Sequence, residues 1–110
     1  MENRDLAAAF MVLIVAWTML GFAIGELQRA SLFAGFNLLF AILILVFIPL
    51  IRSGAPNTAL AAGVIGALNF VVIGLAGVLT NVIFSNAVIA AFSAFYAFFA
   101  FRAYVSARAA

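Results

Sequence analysis

The stretch LFAGFNLLFAILILVFIPLI, Leu32–Ile51, decides the fold. It holds one polar side chain, Asn37, and no charge. From Phe40 to Ile48 a helix would be apolar on every face, as befits a helix that meets neighbours on one side and lipid on the other. About 20 apolar residues of helix cross the hydrocarbon core of a bilayer. This segment has that length.

Three more segments read the same way: Leu6–Gly25, Ala59–Leu79 and Ala87–Tyr104. Together the four fill almost the whole 110-residue chain. The reading is an all-α, polytopic membrane protein: a single four-helix transmembrane bundle over residues 1–110, with short loops. Composition agrees. The chain is 70% hydrophobic and 7% charged, whereas a soluble domain carries about 25% charged residues. The first apolar segment is long enough to span, and no small-x-small cleavage site follows it, so helix 1 is expected to be retained.

Breakers and charges set the boundaries. Glu2, Arg4 and Asp5 precede span 1. Glu26, Gln28 and Arg29 separate spans 1 and 2, with Glu26 and Arg29 spaced for a surface pair. Arg52–Thr58 carries Gly54 and Pro56, the strongest breakers in the chain. Asn57 or Thr58 is expected to cap helix 3. Pro49 is expected to kink or end helix 2. Thr80–Asn86 has no charge, so spans 3 and 4 are joined by a tight apolar turn, or helix 4 starts early near Val82. The two halves also echo one another: Gly21/Gly25 against Gly74/Gly77, Phe36-Asn37 against Ser85-Asn86. An internal duplication and a chance echo in a small alphabet both fit.

Four spans put both termini and the middle loop on one side, with Arg4, Arg52, Arg102 and Arg108; the other side has Arg29. By the positive-inside bias both termini are cytoplasmic, in a prokaryotic-type inner or plasma membrane. Tyr104 between Arg102 and Arg108 fits an interfacial anchor.

Several function classes are excluded by residue type. There is no Cys and no His, and Glu2, Asp5 and Glu26 are the only acids. No metal site of ordinary ligand count follows from that set, and no cofactor is expected. No nucleophile–base pair is legible, so the chain is read as non-enzymatic. The basic residues sit at helix ends rather than on one face, which argues against nucleic acid. No ionisable residue lies well inside a span, which disfavours proton-driven transport.

What remains is packing and polarity. Gly21-x-x-x-Gly25, with Thr18 one turn earlier, reads as helix packing within the bundle or in a homo-oligomer. Helix 3 carries the small stripe Ala59, Gly63, Gly66, Ala67, Gly74 and Gly77. Helix 4 offers Ala87, Ala90, Ala91, Ala94 and Ala97 to match it, opposite the Phe92, Phe95, Tyr96 and Phe99 face. Counting depth at 1.5 Å per residue places Trp17, Thr18, Asn69 and Tyr96 in one layer near the bilayer centre, with Asn37 and Ser93 nearer the outer side. Polar groups at that depth must pair with each other or line a site for a small solute or lipid.

Two functions are carried forward. The first is a non-catalytic accessory or structural subunit of a larger membrane complex. The second is a homo-oligomeric channel or carrier for a small neutral solute, lined by Asn69, Tyr96 and Thr18. The expected partners are the lipid bilayer and either further copies of the chain or a larger membrane protein.

Overall fold

A computed structural model describes residues 2–27, 33–81 and 83–109. Four helices account for nearly all of them: α1 (Asn3–Ala23), α2 (Phe33–Arg52), α3 (Pro56–Thr80) and α4 (Ile83–Ala109). All four are long and apolar enough to cross a membrane. The molecule measures 45 × 21 × 20 Å. Its long dimension matches a bilayer with headgroups, about 40–45 Å. The boundary residues Gln28 and Arg29 and the start of span 2 at Leu32 fall outside the described residues.

Each helix packs against its two neighbours in a closed ring, α1–α2–α3–α4–α1. Short connections enforce this, because a chain that turns within a few residues must return antiparallel beside itself. The α3–α4 pair has the most extensive contact, and the last residue of α3 and the first of α4 are only three apart. We call the end with both termini and the α2–α3 loop the terminal end, and the opposite end the loop end.

The buried seams repeat every three or four residues, as one face of a helix must. In α1 they are Ala7, Met11, Ile14, Thr18 and Gly21. In α2 they are Asn37, Ala41, Ile44 and Ile51. α2 has the highest mean hydropathy of the four helices and the smallest buried share; α4 has the lowest hydropathy and the largest share. Lipid accepts apolar faces at no cost, so polar residues collect on the helix with the most protein around it.

The helix ends correct several expectations. Gly25 lies beyond α1, in the left-handed region at φ 79°. Its N–H donates to Phe22 O (3.2 Å), and the Glu26 N–H donates to Gly21 O (2.9 Å). That pair of bonds is a Schellman stop, so Gly25 ends the helix rather than packing it. Helix 3 is preceded by Ala55 with no side-chain cap. Pro56 takes the first turn, where its missing N–H costs nothing. Asn57 and Thr58 are therefore inside the helix and not its cap; the Thr58 hydroxyl donates to Ala55 O at 2.6 Å. Pro49 does not end α2, which runs on to Arg52. So close to the C-terminus, the one backbone bond it removes is a small loss. Asn81 caps α3 in the left-handed conformation, φ 60°, which Asn tolerates better than most residues. That early stop lets α4 begin at Ile83, in line with the early start near Val82 and four residues ahead of Ala87, so Ser85 and Asn86 sit in its first turn as buried residues.

Candidate functional site

The intramembrane polar side chains lie in two tiers along α4. At the loop end, the Asn37 amide crosses the bundle from α2 and donates to Asn86 Oδ1 at 3.3 Å; it also reaches Phe33 O at 3.4 Å. Ser85 and Asn86 are 3% and 0% exposed there. Trp17 belongs to this end, since its ring meets Phe84 edge-on at 5.9 Å.

The second tier is two turns further along α4. Asn69 Nδ2 donates to Ser93 Oγ at 2.6 Å, and Ser93 donates in turn to Ile89 O at 2.8 Å. One turn beyond, the Tyr96 hydroxyl donates to Ala62 O in α3 at 2.6 Å. Asn69, Ser93 and Tyr96 are all essentially fully buried.

The single layer expected from depth counting is therefore split. Asn69, Ser93 and Tyr96 are brought together; Trp17 is not among them. Phe84, the contact of Trp17, precedes Ser93 by nine residues of helix, about 13 Å at 1.5 Å per residue. Thr18, next to Trp17, turns back on its own helix and donates to Ile14 O at 2.8 Å. Asn37 belongs to the loop-end tier and Ser93 to the central one. Asn86 was legible only as a boundary residue, and its place in the core comes from the early start of α4.

Three buried polar atoms have no hydrogen-bond partner among the described residues: Trp17 Nε1, Asn37 Oδ1 and Asn69 Oδ1. In Asn69 one end of the amide meets Ser93 and the other meets no polar atom. Exchanging its O and N leaves that imbalance in place.

The glycines of helix 3 make the close approach that the second tier needs. A Cβ on Gly66 would lie 2.7 Å from the Tyr96 ring, and one on Gly63 would lie 2.9 Å from the Phe101 ring. These two glycines accept α4 aromatics. Gly74 is looser, with Ala90 at 3.9 Å, and Gly77 is buried nearby. Gly21 packs under Leu27 of its own following turn and lines a cleft with Phe84 and Ser85 of α4. The α4 residues facing inward are Ala90, Ser93, Ala97, Ala100 and Ala103, whereas Ala87, Ala91 and Ala94 of the expected stripe face outward. On the other flank Phe10 of α1 lies against Phe92, Phe95 and Phe99 of α4, at 6.0, 5.3 and 6.0 Å between ring centres.

At the terminal end Arg4 does work that its sequence position did not reveal. Its Nη1 donates to Ile51 O (2.8 Å) and Ala55 O (3.5 Å), and its Nη2 donates to Gly54 O (3.0 Å). The last carbonyls of a helix have no partner within it; Arg4 satisfies that of Ile51 and pins the loop that follows α2 at Gly54 and Ala55. Arg52 and Asp5 approach to 4.0 Å with both side chains substantially exposed, a pair of little energetic weight.

No known protein family, curated protein or solved structure matches this chain.

Proposed function

We propose that this integral membrane protein is a non-catalytic accessory subunit that works through helix contacts with a larger membrane partner. The observation that carries the reading is an apolar notch of about 300 Å³ between α3 and α4, lined by Phe70, Gly74, Gly77, Ala87 and Ala91. Small residues there expose backbone that a partner helix can approach closely, which is how membrane helices gain packing energy. The polar side chains, by contrast, are spent on contacts inside the bundle. The chain carries no charged residue well inside a span.

The test is native mass spectrometry after mild-detergent extraction from the source membrane, paired with photo-crosslinking from Ala91 and from Ala94. A stoichiometric larger partner, crosslinked at Ala91, supports the subunit reading. A pure homo-oligomer with no other protein overturns it.

A second reading, a homo-oligomeric channel or carrier for a small neutral solute, draws on Asn69. Its buried amide oxygen has no partner among the described residues. Under this reading Asn69→Ala changes solute flux in liposomes while assembly survives. Under the subunit reading, flux is absent in both forms.

The membrane orientation is proposed on the same footing. Arg4, Arg52 and Arg102 share the terminal end, and the positive-inside bias then puts both termini in the cytoplasm of a prokaryotic-type cell. Reporter fusions at either terminus would read cytoplasmic; an exported reporter signal would reverse the assignment.

A further inference from the structure

Two clefts meet at the terminal end, and they differ in chemistry. The first, about 410 Å³, is lined by Glu2, Asn3, Arg4 and Ser106 over a floor of Ala103 and Ala107. The second, about 350 Å³, is lined by Phe98, Phe101, Arg102 and Val105, and it shares Ser106 with the first. A polar cleft thus lies beside an apolar one, with Ser106 lining both, and the apolar one runs along α4 toward the membrane centre. Phe98 lies eight residues inward of Ser106, about 12 Å along the helix.

Among the described residues the polar cleft is lined by one cation, Arg4, and one anion, Glu2. Arg4 and Glu2 form no ion pair among the described residues. A guanidinium has five N–H donors, and the three contacts of Arg4 go to one carbonyl at the end of α2, Ile51 O, and two in the α2–α3 loop, Gly54 O and Ala55 O. Donors remain for an anion. Arg102 stands at the mouth of the apolar cleft, its guanidinium 5.5 Å from the Phe98 ring centre.

The depth is that of lipid headgroups. α4 has 27 residues, about 40 Å of helix, which exceeds a hydrocarbon core of about 30 Å. Its loop end carries Phe84, 70% exposed, which lipid tails accept, so the excess length extends into the headgroup layer at Ser106.

We infer that these adjacent clefts together bind one phospholipid with a phosphoethanolamine headgroup. The phosphate sits at Arg4, Asn3 and Ser106, the primary ammonium sits at Glu2, and an acyl chain lies along Phe98, Phe101 and Val105. A primary ammonium can donate N–H bonds to the Glu2 carboxylate, and a quaternary choline cannot. Phosphatidylglycerol has no cation for Glu2 at all. The apolar cleft points to a membrane lipid rather than a free headgroup, because a soluble zwitterion would leave it unused.

The full-length protein in mild detergent is titrated with phosphatidylethanolamine, phosphatidylcholine and phosphatidylglycerol of identical acyl chains, and bound lipid is counted by native mass spectrometry. The expected result is about threefold preference for the ethanolamine lipid over each of the others, the scale of one exposed charge pair. Glu2→Gln, which touches no helix contact, should abolish that preference. Equal retention of the three lipids overturns the inference, as does an undiminished preference in Glu2→Gln. Millimolar glycerophosphoethanolamine should fail to displace the lipid; displacement would assign the cleft to a soluble headgroup and overturn the membrane source.

Discussion

The Tyr96 ring lies against the bare backbone of Gly66 while its hydroxyl donates to Ala62 O, one turn earlier on the same helix. The two contacts fix the ring at both ends. It cannot swing away when Gly66 gains volume, because doing so breaks the hydroxyl bond inside the bundle. Gly66→Ala should therefore destabilise the bundle by about 1–3 kcal/mol, the usual range for overpacking. Gly74→Ala is the control, since its Cβ would meet Ala90 at an ordinary 3.9 Å. It should be neutral or mildly stabilising. Steric-trap unfolding in bicelles measures both, and equal losses in the two variants would show that Tyr96 is free to move.

The Asn69–Ser93 bond joins the same two helices. A double-mutant cycle with Asn69→Ala and Ser93→Ala should give a coupling of about 0.6 kcal/mol, the average for hydrogen bonds between membrane helices. The unpaired Asn69 oxygen adds a second expectation. Asn69→Leu removes a buried polar atom that has no compensating bond, so it should cost less than Asn69→Ala, which leaves a cavity as well. A larger loss for Leu would mean that the site beside Ser93 has no room for a branched side chain.

The spans were readable from sequence because length and hydropathy bear directly on crossing a bilayer. Leu32–Ile51 needed nothing else. Pairing was not readable, for a geometric reason. Depth counting places residues along one helix, but two antiparallel helices meet at an offset set by their connection. The stop at Asn81 and start at Ile83 match the early start near Val82 and set α4 about four residues ahead of the span read from Ala87. That shift brings Asn86 into the core and sends Ser93 to Asn69. Trp17 then meets Phe84, well away from Tyr96. The Ala stripe of helix 4 failed for a related reason. Ala87, Ala91 and Ala94 are as small as Ala90 and Ala97, and in a helix apolar on all sides composition does not say which face turns inward. Arg4 was legible as a charge, but its carbonyl partners lie 47 or more residues away along the chain.

Arg4 offers the most accessible test of how α2 is held. Its guanidinium joins Ile51, Gly54 and Ala55 at the end of the helix with the smallest buried share. Loss of those bonds frees carbonyls at a helix end that already abuts solvent-exposed Arg52 and Ser53. Arg4→Gln should accelerate tryptic cleavage after Arg52 several-fold at constant temperature, with little change in cleavage after Arg102, which is covered by no such clasp. Unchanged kinetics at Arg52 would show that the loop is held by the membrane surface and not by Arg4.

Gly25 separates a conformational role from a packing role. As the second glycine of Gly21-x-x-x-Gly25 it reads as a contact surface, yet no atom would lie within 4 Å of a Cβ placed there. What it supplies is φ 79° and two backbone bonds that close α1. An L-residue pays about 1–2 kcal/mol to enter that region, and Asn pays least among them. Gly25→Val should therefore destabilise the protein by about that amount, and Gly25→Asn should recover most of the loss. A packing role predicts the reverse for Asn, which is about as bulky as Val and polar besides. Thermal unfolding of the two variants in one detergent decides between them: similar losses for Val and Asn would return Gly25 to the contact surface, and rescue by Asn would leave it as the residue that ends the first span.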